Sequence, residues 1–243
     1  MAYLTSCKVI AYPHHVNFTS CQAICLHQNR RRTKMKVIVF GATGSIGHLA
    51  VNELIKAGHE VTAFARKPEK LVLTDPKLFR VAGDALDDQD VFAAVKDHEA
   101  VVITLGSGLS RKSVIRSKGT LNVIRAMQAH GLKRLICQST LGARESWSNL
   151  NFWWKRVMFG ALLAPVFRDH ELQEQLVEAS GLDWTIVRPA AFTNEATRRP
   201  VIEDLPTSAR GLDLKISRSE LARFLTRQVN DPTYLGRAVG LSS

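Results

Sequence analysis

The hydrophobic pattern after residue 34 alternates between two periods. Short, almost wholly apolar runs, beginning with residues 37–40, are typical of strands buried on both faces of a parallel sheet. Between them lie segments with apolar residues at helical spacing, beginning with residues 45–57. This alternation predicts an α/β fold, a Rossmann-type doubly wound parallel sheet, in a single domain over residues 35–243.

The rest of the chain shows the same alternation of strand and helix patterns. Further strands are predicted at residues 60–65, 79–82, 100–105, 134–138, 184–188 and 238–241, the last at the edge of the sheet. Further helices are predicted at residues 89–96, 113–130 and 169–180, and after the capping box formed by Ser217 and Glu220. We therefore expect one continuous core with helices on both faces of the sheet.

Residues 1–34 differ from the rest of the chain. They contain no Asp or Glu, three of the four cysteines, and a basic cluster at residues 30–34. Two interpretations fit: a start codon assigned too early, which we favour, or an organelle transit peptide. We expect this leader to be disordered, and we expect the protein to be cytoplasmic unless the leader directs it to an organelle.

Charge and composition exclude several function classes. The net charge is +11, but the leader holds five of the 33 basic residues, which leaves 28 basic against 22 acidic residues and a charge of +6. No block of like charges marks a nucleic-acid arm, and the longest apolar run, residues 157–167, is too short to span a membrane. Cys137 is the single cysteine of the body, which indicates a reducing compartment.

The first strand leads into a glycine motif. Gly41, Gly44 and Gly47 form GxxGxxG between a strand and a helix, which is the context that nucleotide-binding loops require. Gly41 permits a tight turn, Gly44 lets phosphate oxygens approach backbone N–H groups, and Gly47 allows the helix to pack closely on the strand. The motif predicts a nucleotide site.

The second strand indicates which nucleotide. Sites selective for NAD carry an acidic residue at its end, where the carboxylate accepts hydrogen bonds from the ribose 2′-hydroxyl. Here Arg66 and Lys67 follow the strand, and a guanidinium instead suits a 2′-phosphate. We therefore predict NADP(H) as the cofactor. The alternative is that both residues belong to a solvated turn.

Several quoted motifs together resemble a known family. They are "VFGATGSIG" at the first strand, "VAGDALD" at the third, "VVITLGSG" at the fourth, "RLICQSTLGA" at the fifth and "SGLDWTIVRPAAF" at the sixth. The chain resembles an atypical short-chain dehydrogenase/reductase, in the NAD(P)H-binding branch that contains biliverdin reductase B, also known as flavin reductase, and NmrA-like proteins. The resemblance covers nearly all of residues 35–243.

The resemblance implies further cofactor-binding positions at the ends of the strands. These are Thr43, Ser45 and Ile46 at the pyrophosphate, Arg66 at the 2′-phosphate, Asp84 and Ala85 beside the adenine, Leu105 and Gly106 below the adenosine ribose, and Pro189 and Ala190 at the carboxamide. Simpler interpretations exist, because Asp84 can cap a turn and residues 106–108 can form a flexible loop.

The catalytic residues depart from the usual pattern of short-chain dehydrogenases, a YxxxK helix. The residues four positions after Tyr3, Tyr12 and Tyr234 are Cys7, Val16 and Ala238, so the sequence contains no YxxxK. The resemblance places Ser139 near the nicotinamide, as an orienting hydroxyl. On the helix where YxxxK would lie, His170 is the candidate for acid–base chemistry. Alternatively, His170 is an exposed histidine paired with Glu174, opposite an apolar face of Leu172, Leu176 and Ala179.

Residues 147–167 form an aromatic insertion near the predicted nicotinamide end. Trp147, Trp153 and Trp154 are candidates for a lid that stacks on a flat substrate. The alternative is an ordinary helix packed on the sheet, or a dimer contact.

Two function classes follow. The first is an NADPH-dependent reductase that transfers hydride to a flavin, a quinone or another conjugated, planar small molecule. The second is a non-catalytic NADP-binding redox sensor of the NmrA-like type. No spacing resembles a metal-ligand set, and we expect a monomer or homodimer with no nucleic-acid or membrane partner.

Overall fold

The computed structural model describes residues 34–108, 114–144, 146, 164–195, 200–206 and 214–243. The predicted leader lies outside these residues, apart from Lys34. None of the helices in the described ranges is long and apolar enough to cross a membrane.

Ten strands occur in the described residues. They are β1 (Lys36–Phe40), β2 (Glu60–Ala65), β3 (Leu78–Ala82), β4 (Ala100–Ile103), β5 (Arg134–Gln138), β6 (Asp183–Pro189), β7 (Ala191–Thr193), β8 (Ile202–Glu203), β9 (Lys215–Ser217) and β10 (Arg237–Ser242). All seven strands predicted from the hydrophobic pattern are present, with bounds that differ by no more than two residues. The short strands β7, β8 and β9 were not predicted.

Eight strands form the main sheet, in the order β3-β2-β1-β4-β5-β6-β10-β8. Every neighbouring pair is parallel except β10 and β8, so the predicted Rossmann-type sheet is confirmed. The prediction that the last strand lies at the edge is wrong, because β8 pairs with Leu241 and Ser242 of β10 and takes the edge position. β7 and β9 form a separate two-stranded sheet.

Five helices accompany the strands in the described residues. They are α1 (Gly47–Lys56), α2 (Asp88–Val95), α3 (Ile115–His130), α4 (Ala164–Glu178) and α5 (Arg218–Gln228), and Pro68–Lys70 adds a short 3-10 turn. The side chains of β1 alternate between two cores. Val37 and Val39 lie in the core that includes residues of α1 and α5, whereas Ile38 and Phe40 face the core that includes residues of α2, α3 and α4.

Helix α4 differs most from its predicted form. In the described residues it runs from Ala164, five residues before the predicted start at position 169. The residues it buries are mainly polar: Asp169, His170, Gln173, Glu174 and Val177. The predicted apolar face is wrong, because Leu172 is 47% exposed. Each buried polar residue of α4 instead approaches a polar group of a neighbouring element.

The central contact of this polar face is a buried ion pair. Arg188 of β6 donates from Nε to Oε1 of Glu174 over 3.0 Å, and from Nη2 to Oε2 over 2.7 Å. The side chains are 3% and 0% exposed. Gln173 adds a hydrogen bond of 2.9 Å from Nε2 to Oγ1 of Thr120 on α3. These contacts orient α4 against the sheet and α3.

Because a buried charge that loses its partner is costly, Arg188→Met is expected to lower the free energy of unfolding by about 3–5 kcal/mol. Adding Glu174→Met should restore part of that loss, since both charges are then removed. Urea denaturation measures these effects. The control is Arg237→Met, which breaks an exposed pair with Asp204 of 2.6 Å and should cost less than about 1 kcal/mol. Equal costs for the two single variants would contradict the prediction.

Candidate functional site

The glycine loop between β1 and α1 is packed so tightly that two of its glycines have no room for a side chain. Gly41 has a φ of +84°, and a Cβ there would lie 2.7 Å from the carbonyl oxygen of Thr104. A Cβ on Gly47 would lie 2.1 Å from the carbonyl oxygen of Gly41. The start of α1 therefore packs directly against the loop, as a nucleotide-binding turn requires.

The N-terminus of α1 has the properties of an anion site. Its N-cap residue, Ile46, makes no side-chain capping hydrogen bond, and the first turn contains no acidic residue. Thr43, Gly44 and Ser45 are exposed, and Ile46 is buried. Backbone N–H groups and the positive end of the helix dipole are thus available to a phosphate, so the residues present fit a dinucleotide.

Arg66 and Lys67 lie beside this loop. The backbone N–H groups of Gly41 and Ala42 both approach the carbonyl oxygen of Phe64, at 3.2 and 3.4 Å. Arg66 follows two residues later, just beyond the end of β2, and both it and Lys67 are exposed. The structure therefore brings the two cations Arg66 and Lys67 to the edge of the glycine loop.

The loops after β3 and β4 form the next part of the same sheet edge. Asp84 accepts a hydrogen bond of 3.0 Å from the N–H of Leu86, which is the turn-capping contact considered as the simpler interpretation. The carbonyl of Ala85 accepts a 3.1 Å hydrogen bond from Asn122 of α3. A Cβ on Gly119 would lie 2.8 Å from Cδ1 of Leu105, so α3 also packs closely on the β4 loop.

Ser139 and His170 meet at the end of β5. Ser139 Oγ lies 3.4 Å from Nδ1 of His170, and the residues are 2% and 7% exposed. The interpretation of His170 as an exposed histidine paired with Glu174 is therefore wrong, because Glu174 binds Arg188. Burial, together with the positive charge of Arg116, lowers the pKa of His170 to about 3. Near neutral pH the imidazole is uncharged, so it acts as a hydrogen-bonding group.

Asp169 joins α4 to the start of α3 and was missed by the sequence analysis. Its carboxylate accepts hydrogen bonds from the N–H groups of Arg116 and Ser117, over 3.1 and 3.0 Å, and from Ser117 Oγ over 2.5 Å. The N-cap position of α3, Val114, supplies no side-chain cap. A carboxylate from another helix therefore caps α3, and no local pattern signals a partner more than 50 residues away.

The backbone after β6 is held by the sheet. Pro189 accepts a 2.9 Å hydrogen bond from the N–H of Leu141, and Ala190 donates one of 2.9 Å to Leu241. The contact of Pro189 and Ala190 with a carboxamide stays a prediction, as do the cofactor contacts of Thr43, Asp84 and Gly106.

A cation–π pair involves the short strand that follows directly after Ala190. On β7, Phe192 is 37% exposed, and the Arg218 guanidinium carbon lies 5.4 Å from the centroid of its ring. Sequence analysis missed this pair, because β7 and β9 contain only three residues each. The candidate lid residues Trp147, Trp153 and Trp154 lie outside the described residues.

Comparisons with known proteins agree with this geometry. A family model described as NAD(P)H-binding matches residues 41–232. YhfK of Bacillus subtilis (strain 168), named an uncharacterized sugar epimerase, is 28% identical over 218 residues, which cover 86% of this chain and 94% of YhfK.

Two solved structures show the same fold. ChuY, an anaerobilin reductase from Escherichia coli O157:H7, has a TM-score of 0.70 at 22% identity and covers 85% of this chain and 96% of its own. A wide-type short-chain dehydrogenase/reductase from Veillonella parvula DSM 2008, in complex with NADP, has a TM-score of 0.73 at 16% identity, covering 87% and 95%.

The low pKa of His170 predicts a specific pH dependence of stability. Above pH 6.5, the ordinary histidine value, His170 is neutral in both the folded and the unfolded chain. Below it only the unfolded chain gains the proton, so the stabilisation is lost as the pH falls towards 3. The stability difference between wild type and His170→Gln should therefore fall by about 2 kcal/mol between roughly pH 7.5 and pH 5.

Urea denaturation across this pH range measures that difference. The exposed His48 on α1, changed to Gln, is the matched control for the loss of an imidazole from a helix. A difference between wild type and His170→Gln that does not vary with pH would show that His170 is not kept neutral by burial.

Proposed function

Because this chain belongs to the NAD(P)H-binding family, we propose that it is an NADPH-dependent reductase of a flavin, quinone or other conjugated small molecule. The observation that carries the proposal is the arrangement along one sheet edge. A glycine loop with adjacent cations lies at the ends of β1 and β2, and a buried, uncharged Ser139–His170 pair lies at the end of β5. The glycine loop and its cations suit a phosphorylated dinucleotide. The Ser139–His170 pair suits a hydride acceptor that needs no protonated, positively charged side chain.

The choice of NADPH over NADH rests on Arg66. Its guanidinium provides donors in a fork that matches phosphate oxygens, whereas it has no acceptor for the ribose hydroxyls that NAD presents there. Lys67 adds a second positive charge at the same turn. Both residues are exposed next to the glycine loop, so they are accessible to the 2′-phosphate of a nucleotide seated there.

When bound, NADPH supplies the hydride, which carries two electrons to the acceptor and leaves NADP⁺. The chain has to hold the acceptor, and Ser139 orients it through its hydroxyl. His170, with its pKa lowered to about 3, donates or accepts a hydrogen bond without supplying a positive charge. The proton that balances the hydride comes from water, which is sufficient for acceptors that delocalise the added charge.

Planar acceptors suit the walls of the site. Phe192, which is 37% exposed, follows the end of β6, beside the predicted nicotinamide position, and the guanidinium of Arg218 lies over its ring. We propose that Trp147, Trp153 and Trp154 form a lid that stacks on the flat substrate. ChuY, which shares the fold of this chain, is an anaerobilin reductase, and this agrees with a small-molecule substrate.

Cofactor choice is tested by Arg66→Asp. Removing the guanidinium and adding a carboxylate should weaken NADPH binding, strengthen NADH binding, and change the ratio of their dissociation constants by at least about tenfold. Nucleotide fluorescence titration measures both constants. Lys70→Asp makes the same charge change at an exposed position four residues away and should leave the ratio unchanged. Unaltered relative affinities in Arg66→Asp would remove the assignment.

Reductase activity is tested by following NADPH absorbance with FMN, a quinone and biliverdin as acceptors. We expect oxidation of NADPH with at least one of them, together with reduction of that acceptor. Ser139→Ala should slow turnover while the dissociation constant of NADPH stays within about twofold, because the hydroxyl orients the acceptor. Tight nucleotide binding with no turnover across this set would instead favour the redox sensor of the NmrA-like type.

A further inference from the structure

Arg116 lies between the ends of β4 and β5 and has no role in the function proposed so far. It occupies the first turn of α3, and its Nη1 donates a 3.2 Å hydrogen bond to Ser107 Oγ in the β4 loop. The same Nη1 lies 3.6 Å from Oδ2 of Asp169, the residue directly before His170 on α4. The guanidinium therefore lies near the Ser139–His170 pair, and its side chain is 11% exposed.

The hydrogen-bonding capacity of this guanidinium is only partly used. Arg116 Nη1 lies 3.6 Å from Oδ2 of Asp169, which is longer than a hydrogen bond. The carboxylate of Asp169 is instead taken by the three shorter hydrogen bonds from the start of α3. The Nε of Arg116 is buried and has no hydrogen-bond partner in the described part of the chain. A guanidinium has five N–H donors, so Arg116 keeps N–H groups that have no hydrogen-bond acceptor.

The charged groups described around Arg116 balance in formal charge, and the positive end of the α3 dipole adds a partial positive charge. Glu174 is paired with Arg188 in a two-point contact, and His170 is uncharged. Asp169 balances one positive charge, but it faces both the Arg116 side chain and the positive end of the α3 dipole. This part of the site is therefore suited to an anion.

We propose that Arg116 binds an anionic group, a carboxylate or a phosphate, on the acceptor. The inference rests on the proposed function and deepens it, because it restricts the substrate class to conjugated acceptors that carry such a group. The unpaired donors of the guanidinium match the oxygens of either anion in a bidentate contact. Arg116 is then a residue that determines substrate specificity.

The position of Arg116 favours the acceptor over the cofactor as the source of the anion. The pyrophosphate belongs at the glycine loop after β1, and Arg66 serves the 2′-phosphate after β2. Arg116 lies instead on α3, next to Ser107 and the Ser139–His170 pair, where the acceptor meets the nicotinamide in the proposed arrangement. An anionic group at the edge of the hydride acceptor would reach Arg116 without displacing the cofactor.

The test compares FMN with riboflavin, which share one ring system but differ in a phosphate. Flavin fluorescence gives the dissociation constant of each for the NADP⁺-loaded protein, without turnover. Wild type should bind FMN more tightly, and Arg116→Met should raise the FMN dissociation constant at least about tenfold while riboflavin changes less than about twofold. Biliverdin and its dimethyl ester form a second pair that tests a carboxylate in the same way.

Two variants control for indirect effects. Lys118→Met removes an exposed positive charge two residues along α3 and should leave both flavin constants unchanged. Arg116→Lys keeps the charge but not the planar fork, so it should retain part of the preference for FMN. Thermal unfolding verifies that each variant is folded.

Several results would overturn the proposal. One is that wild type fails to prefer the anionic member of either pair; another is that Arg116→Met weakens both members of a pair equally. A parallel loss of NADP⁺ affinity in Arg116→Met would assign the residue to the cofactor instead. These measurements require no turnover. Absence of NADPH oxidation would therefore contradict the proposed reductase activity, whereas the proposal for Arg116 would be judged from the binding constants alone.

Discussion

The buried ion pair between Arg188 and Glu174 is the constraint on which the candidate site depends. A carboxylate that is 0% exposed is tolerated only opposite a guanidinium that meets it at two points. This requirement orients helix α4 with its polar side inward and its Leu172 outward. The same orientation brings His170 to Ser139, and Asp169 to the start of α3, so the ion pair is linked to both of these contacts through α4.

The candidate site has two parts along the sheet edge, and they are formed by different kinds of groups. At β1 and β2 the site is made of backbone and glycine: Gly47 leaves so little space that the start of α1 touches the carbonyl of Gly41. At β5 and β6 it is made of buried polar side chains held by their neighbours. The first part depends on local turn geometry, and the second on contacts between helices that lie far apart in the chain.

The polar face of α4 also explains why the part of the site near β5 carries little free charge. Glu174 is neutralised by Arg188, and burial keeps His170 uncharged. Asp169 is shared between the backbone of α3 and Arg116, and in the described part of the chain the Nε donor of Arg116 has no hydrogen-bond partner. An uncharged pair beside one incompletely paired cation accounts for both proposals about this end of the site: hydride transfer without a charged acid, and selection of an anionic acceptor.

The sequence by itself determined the parts of this protein that depend on local pattern. Residues 60–65 and 134–138 were located as strands because apolar runs in a parallel sheet are buried on both faces, and the glycine loop was located because GxxGxxG follows such a strand. Only the tertiary structure decided which face of α4 is buried, that His170 lies against Ser139, and that Asp169 caps α3. Those outcomes depend on charged partners from distant elements, Arg188 and Arg116, and hydrophobic periodicity records apolar burial but not the pairing of buried charges.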